Sequence, residues 1–119
     1  MKDYKELTVW QKSMDLVSEL YQVAKLLPKT EQYALSDQMR RAAVSVPSNI
    51  AEGYCRYSDK ELLKYLYIAR GSRAELETQL LIAVRLGYLH QEETEKVMNL
   101  CAEVGKMLNA FINKLSGIS

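Results

Sequence analysis

Basic side chains are the residues of this chain best suited to a binding function. Seven of the ten charged residues between Gln38 and Arg73 are Lys or Arg, so this stretch carries a local charge of +4. The seven are Arg40, Arg41, Arg56, Lys60, Lys64, Arg70 and Arg73. Clustered cations can contact phosphates, which makes RNA or single-stranded DNA a candidate ligand. The alternative is a solvated surface whose cations pair with Asp59, Glu61 and Glu75.

Arg40 and Arg41 have a second interpretation, because they precede a run of small residues. Arginine beside small buried residues can tie one helix to a carboxylate through a two-pronged hydrogen bond. The candidate acceptors are Glu52, Glu75 and Glu77. We expect at least one of the two arginines to form a structural ion pair.

Catalytic patterns are weak by comparison. Glu75 and Glu77 are two residues apart and point about 160° away from each other on a helix. His90 is the only histidine and has no Glu-x-x-His spacing, which a di-metal bundle would require. The sequence has no Gly-rich phosphate loop, nucleophile elbow or H-E-x-x-H motif. We therefore expect no enzyme activity, no cofactor and no metal site.

The totals indicate one globular domain over residues 1–119. The chain has 48% hydrophobic and 26% charged residues and a formal net charge of +1. Six acids and two bases between Glu75 and Glu103 give that stretch a local charge of −4, so the two halves differ in sign. No apolar run reaches the ~20 residues of a membrane span, and the N-terminus has no signal-like apolar region. We expect a cytoplasmic protein with Cys55 and Cys101 reduced.

Apolar periodicity predicts four helices joined by short connections, and hence an all-α, antiparallel up-down-up-down four-helix bundle. Their expected ranges are Lys5–Leu27, Glu31–Tyr54, Ser58–Leu86 and Gln91–Leu115. Thr30 is the expected N-cap of the second helix, and Gly53 its left-handed closing residue. Pro47 should bend that helix, since a proline within a helix removes an amide donor and crowds the carbonyl four residues back.

Two apolar stripes follow the first helix. One is a heptad seam of Leu7, Trp10, Met14, Val17, Tyr21 and Ala24, and the other consists of Val9, Leu16, Leu20, Val23 and Leu27. Two stripes are more than a two-sided helix needs, and the second stripe, together with tyrosines such as Tyr65, predicts contact between subunits. Gly71 costs about 1 kcal/mol of helix propensity relative to Ala, which predicts a close helix crossing there. The candidate packing or oligomer residues are thus Trp10, Leu16, Leu20, Pro47, Tyr65 and Gly71.

Several longer motifs together resemble a known family. They are ELTVWQKSMDL at Glu6–Leu16, RRAAVSVPSNIAEG at Arg40–Gly53, the Ser58–Glu61 start, IARGSRAELETQL at Ile68–Leu80 and LGYL at Leu86–Leu89. They look like the bacterial 23S rRNA intervening-sequence protein family, also called the four-helix-bundle protein family. Arg73 departs from the family pattern, where an apolar residue is common, and His90 stands where a serine is common.

The resemblance implies an antiparallel four-helix bundle that assembles as a ring-like homopentamer. Related members are accessory proteins of diversity-generating retroelements, in which a basic pentamer engages a reverse transcriptase and nucleic acid. We expect a homo-oligomer, a pentamer by this resemblance, that offers a multivalent basic surface to RNA, DNA or a nucleic-acid enzyme. The alternative is a protein-binding scaffold that never touches nucleic acid.

Overall fold

Four long helices form the molecule in the computed structural model, which describes residues 3–117. They are α1 (Thr8–Ala24), α2 (Leu35–Tyr54), α3 (Asp59–Arg85) and α4 (Glu95–Ser116). Each helix packs against the next in sequence, and α4 returns to α1, so the predicted all-α four-helix bundle is confirmed. Short 3-10 turns at Tyr4–Glu6, Lys29–Glu31 and Gln91–Thr94 precede α1, α2 and α4.

Helix α1 is shorter at both ends than the sequence predicted. Leu7 has extended backbone angles and separates the first 3-10 turn, which Asp3 caps, from the helix. At the other end the Gln32 amide donates to the carbonyls of Ala24 and Leu27, at 3.1 and 2.9 Å. The Gln32 side chain thus satisfies carbonyls that the end of the helix leaves free. Helix α1 therefore ends four residues before Pro28, which we had expected to terminate it.

The predicted start of α2 is wrong. Thr30 lies within a 3-10 turn, and α2 begins five residues later at Leu35. The carboxylate of Glu31 accepts from the Leu35 backbone N–H at 3.3 Å and so caps the helix in place of Thr30. Pro47 lies buried within α2 as predicted, while the bend itself stays a prediction.

Both ends of α3 follow the sequence closely. Ser58 caps α3 by accepting from the Glu61 backbone N–H at 3.2 Å. Gly87 has a φ of 80°, and the Tyr88 N–H donates to the Ala83 carbonyl at 2.9 Å, so the left-handed residue that ends a helix is found here. The Glu93 carboxylate accepts from the His90 N–H at 2.8 Å, but α4 starts at Glu95 because a 3-10 turn comes first.

Gly53 does not have the left-handed conformation that we expected of it. It is a helical residue of α2, and a Cβ added there would lie 2.6 Å from the Cβ of Tyr65 and 3.3 Å from the Leu62 carbonyl oxygen. Glycine is needed because α3 approaches α2 too closely for any side chain.

The core takes one of the two stripes of α1. Leu16 and Leu20 are fully buried, with Val9 and Val23 beside them. These residues form the second stripe, so our assignment of that stripe to subunit contacts is wrong. Met14 and Tyr21 of the heptad seam are exposed instead. The stripe left open is the one that contains Trp10 and Met14, because a four-helix bundle can bury only one side of each helix.

Candidate nucleic-acid interface

Two antiparallel helical segments bring five cations together. Residues 62–74 of α3 and 104–117 of α4 contain Lys64, Arg70, Arg73, Lys106 and Lys114 and no Asp or Glu. The segments are adjacent, since Arg70 Nη1 donates to Asn109 Oδ1 at 3.3 Å across the two helices. We call these segments the basic half of the α3–α4 pair.

Arg70 lies on the exposed side of this half. Its hydrogen-bond partner, Asn109, is neutral, so the positive charge is not cancelled by that contact. Its guanidinium lies over the ring of Tyr67, 5.1 Å from the ring centroid. A cation at this distance is attracted by the electron-rich ring face, which limits the motion of both side chains.

Arg73 lies between the helices instead, with only 17% of its side chain exposed. Its Nη1 donates to the Cys101 carbonyl at 3.3 Å and to Glu77 at 3.5 Å. The side chain fits because α4 has a glycine there: a Cβ at Gly105 would meet Arg73 Nε at 3.0 Å. Nε is buried without a hydrogen-bond partner among residues 3–117. Arg73 therefore packs the two helices together and is poorly placed to contact a phosphate.

Arg40 and Arg41 lie apart from this half, near the start of α2. Arg41 pairs with Asp37 at 2.9 Å, the i,i+4 ion pair of one helix. Arg40 donates to the Gln32 carbonyl at 2.7 Å and so ties α2 to the preceding turn. Arg41 therefore forms an ion pair as we expected, but its side chain is 80% exposed and makes a single hydrogen bond, and the acceptors that we predicted on α2 and α3 are wrong. A residue one turn away is reached more easily than Glu52, which is three turns further along the helix.

A third group of cations lies in the turn between α2 and α3 and in the first turns of α3, and it shares Lys64 with the basic half. Arg56 donates to Glu52 at 2.8 Å and to the hydroxyl of Tyr65 at 2.7 Å, with its guanidinium 4.9 Å from the Tyr65 ring centroid. The hydrogen bond to Glu52 raises the pKa of the Arg56 guanidinium. Lys64 pairs with Glu61 at 3.3 Å, whereas Lys60 has no ion pair within the described part of the chain.

The seven predicted cations therefore do not form one surface. Four have acidic partners three or four residues away in the sequence, namely Arg41, Arg56, Lys64 and Arg73. Our sequence reasoning also missed Lys106 and Lys114, because it stopped at Arg73. The absence of acids from residues 104–117 is visible in the sequence and, combined with the antiparallel order of α3 and α4, could have found them.

The opposite half of the α3–α4 pair is acidic. An open cleft of about 460 Å³ there has Leu81, Val84 and Met98 on its apolar side. Glu92 and Glu95 line the same cleft, and neither forms an ion pair in the region from residue 3 to residue 117. The change in charge that the sequence predicted thus runs along the α3–α4 pair, from its basic half to its acidic half.

The predicted packing residues have different surroundings. Leu16 and Leu20 belong to the core, whereas Trp10 is partly buried and meets Tyr4 edge-on with ring centroids 5.5 Å apart. A Cβ added at Gly71 would meet nothing within 4 Å. The close crossing expected at Gly71 therefore does not occur inside the bundle, and a crossing with another copy stays a prediction.

Groups with reactive side chains are few. Cys55 is exposed and Cys101 buried, and both are free thiols. Burial raises the pKa of the Cys101 thiol to about 12, which leaves it protonated and unreactive at neutral pH. Between residues 3 and 117, no group of three His, Cys, Asp or Glu side chains is arranged to hold a metal ion. None of the helices described there combines the length and apolar character that crossing a membrane requires.

Comparisons with known proteins agree with the resemblance seen in the motifs. No curated protein is significantly similar to this chain. A crystal structure of a protein of unknown function from the S23 ribosomal protein family of Bacteroides thetaiotaomicron is similar, with a TM-score of 0.82 and 26% sequence identity. The alignment covers 88% of this chain and 98% of that one. The family model described as 23S rRNA-intervening sequence protein matches residues 5–110. The chain therefore belongs to the 23S rRNA-intervening sequence protein family.

Proposed function

We propose that this chain acts without catalysis, as a homo-oligomer that presents the basic half of its α3–α4 pair to RNA, DNA or an enzyme that handles them. Five copies in a ring is the assembly that the family resemblance implies. The observation that carries the proposal is the amount of apolar surface that one copy leaves uncovered on two different faces.

The first uncovered face is the outer side of α3. Ile68, Ile82 and Leu86 are exposed by 50, 41 and 58%. Gly71 lies between them and leaves room for a neighbouring helix. Large apolar side chains that recur along one exposed helix face are typical of an interaction surface.

The second face is a groove between α1 and α2. It has a volume of about 350 Å³ and is lined by Trp10, Met14, Val17, Val44 and Pro47, among others. These residues include the stripe of α1 that the core does not use. Because this groove and the outer side of α3 consist of different residues, contact between them would be head-to-tail, and head-to-tail contacts generate rings when the rotation closes.

A ring would strengthen weak binding to a polyanion. Each copy contributes only a few cations that have no acidic partner among residues 3–117, such as Lys60, Arg70 and Lys106. Five copies of such a surface can engage one strand at several points, and affinity rises with each simultaneous contact. The local charge at the basic half matters here, since the net charge of the whole chain is only +1.

Assembly is tested by light scattering on two matched variants. Ile82→Glu places a charge on the outer side of α3 and should lower the mass of the assembly. Leu26→Glu changes a similarly exposed apolar residue in the α1–α2 connection and should leave the mass unchanged. Equal masses for wild type and both variants would contradict this use of α3.

Nucleic-acid binding is tested by filter binding at low salt. Arg70→Glu with Lys106→Glu should lower the affinity at least tenfold, and binding of the wild type should weaken steeply as salt rises. Arg41→Glu is the control, because Arg41 is highly exposed but lies on α2. An unchanged affinity in the double variant would contradict a role for the basic half.

A scaffold that binds only proteins is the second candidate. It is favoured by the four ion pairs that neutralise Arg41, Arg56, Lys64 and Arg73 within the molecule. Affinity capture from a lysate, with and without nuclease, separates the two candidates. A partner that survives nuclease treatment, combined with no filter binding, would favour the scaffold.

A further inference from the structure

The Tyr67 ring and the Arg70 guanidinium form a composite surface that the fold does not explain. Tyr67 is 46% exposed, and its hydroxyl has no hydrogen-bond partner within residues 3–117. Arg70 lies over the ring at 5.1 Å and is fixed on its other side by Asn109. An aromatic ring and an arginine are thus ordered next to each other at the surface without contributing to the core.

The surroundings of this pair are positive. Lys64 lies one helical turn before Tyr67, and Lys106 lies on α4 one turn before Asn109. The acid-free stretches 62–74 and 104–117 place no carboxylate among these residues, and the nearest acid that pairs with any of them is Glu61, on Lys64. A ligand here would meet cations on both helices and an aromatic face between them.

Single-stranded nucleic acid has the chemistry that matches this arrangement. Its phosphates suit the cations, and its unpaired bases can stack on an aromatic ring or on an arginine plane. In a duplex the bases are already stacked on each other, so no base face is free to stack on the ring, and the protein can contact only phosphates, sugars and base edges in the grooves. Stacking on the Tyr67 ring would therefore favour single strands over duplex, whereas phosphate contacts by the cations would not distinguish the two.

We propose that Tyr67 and Arg70, together with Lys106 and Asn109, form a stacking site that binds single-stranded RNA or DNA in preference to duplex. This inference rests on the proposed function, since it names the ligand of the same basic half. Tyr67 supplies the face for a base, Arg70 and Lys106 contact the flanking phosphates, and Asn109 holds Arg70 in place.

Fluorescence anisotropy with a labelled 20-nucleotide oligo(dT), and with a duplex of the same length, tests the site. Tyr67→Leu should weaken binding of the single strand roughly 5- to 150-fold, the range expected for loss of one stacked base, and leave duplex binding unchanged. Tyr67→Phe keeps the ring and should bind as the wild type does. Tyr33→Leu is the matched control, because Tyr33 is 96% exposed but lies between α1 and α2.

Each outcome decides between the two claims. If both ligands bind equally to the wild type and Tyr67→Leu changes neither affinity, the stacking site is wrong while the proposed function stands. A loss on Tyr67→Leu that is equal for single strand and duplex also overturns the inference, since stacking would then not be the cause. If the wild type binds neither ligand at low salt, the nucleic-acid part of the proposed function fails as well. Circular dichroism of each variant confirms that the helices are intact.

Discussion

The inner and outer sides of α3 differ in how well the fold accounts for them. On the inner side Leu62, Leu66, Leu76 and Leu80 are buried in the core. On the outer side Ile68, Tyr67 and Ile82 are exposed, a Cβ added at Gly71 would meet nothing within 4 Å, and Arg70 contacts Tyr67 and Asn109. Exposed apolar and aromatic residues that the fold does not need are typical of binding surfaces. We therefore expect partners to bind the outer side of α3.

The largest effect should come from truncating the core. Leu76→Ala should lower the free energy of unfolding by about 2–5 kcal/mol, because it removes a fully buried side chain and leaves a cavity. Ile82→Ala, on the outer side, should change the stability of the chain by less than about 0.5 kcal/mol. Urea denaturation measures both, at several protein concentrations because assembly would make the midpoint concentration-dependent. If both variants lost a similar amount of unfolding free energy, the inner and outer sides of α3 would not differ in their contribution to stability.

Two glycines sharpen the comparison. Gly53→Ala should destabilise the fold by about 1–3 kcal/mol, since the new Cβ would lie 2.6 Å from the Cβ of Tyr65. Gly71→Ala should stabilise the chain itself by up to about 1 kcal/mol through helix propensity, as nothing lies within 4 Å. If Gly71 faces another copy, the same variant should also lower the mass seen by light scattering. A loss of chain stability in Gly71→Ala would show that the site is not open.

Two arginines three residues apart provide a smaller test. Arg73→Met should leave the free energy of unfolding within about 1 kcal/mol of wild type, because Met replaces a partly unsatisfied buried charge with a shorter, flexible apolar chain. Its nucleic-acid affinity should also stay within about twofold. Arg70→Met should weaken binding severalfold, by loss of one exposed phosphate contact. Filter binding measures both affinities. A larger loss of affinity in Arg73→Met than in Arg70→Met would mean that the buried arginine contacts the ligand.

The last prediction compares the reactivity of the two thiols, where we expect the smallest effect. A thiol-reactive dye at neutral pH should label Cys55 rapidly, since it is exposed. Cys101 should react only after denaturation, because burial raises its pKa to about 12 and blocks access. Two rapidly labelled thiols per native chain would show that the interface of α3 and α4 opens readily.

Much of the fold could be predicted from the sequence, because apolar periodicity, Gly87 and the Ser58 cap are local signals. The start of α2 could not, since Glu31 caps it through a carboxylate four residues before Leu35, where Thr30 looked like the better cap. The choice between the two stripes of α1 depends on how the helices rotate against one another, which no single helix encodes. The basic half was only partly predictable for the same reason: Arg70 reaches Asn109 of α4 through tertiary packing, and Arg73 packs against Gly105 between the two helices.

The mass of the wild-type protein in dilute solution tests the central claim most directly. We predict that light scattering will give about 68 kDa, five times the 13.6 kDa of one chain, with Ile68 and Ile82 of α3 covered by a neighbouring copy. A mass of 13.6 kDa at every concentration would mean that the exposed apolar residues stay in water, and would contradict the account.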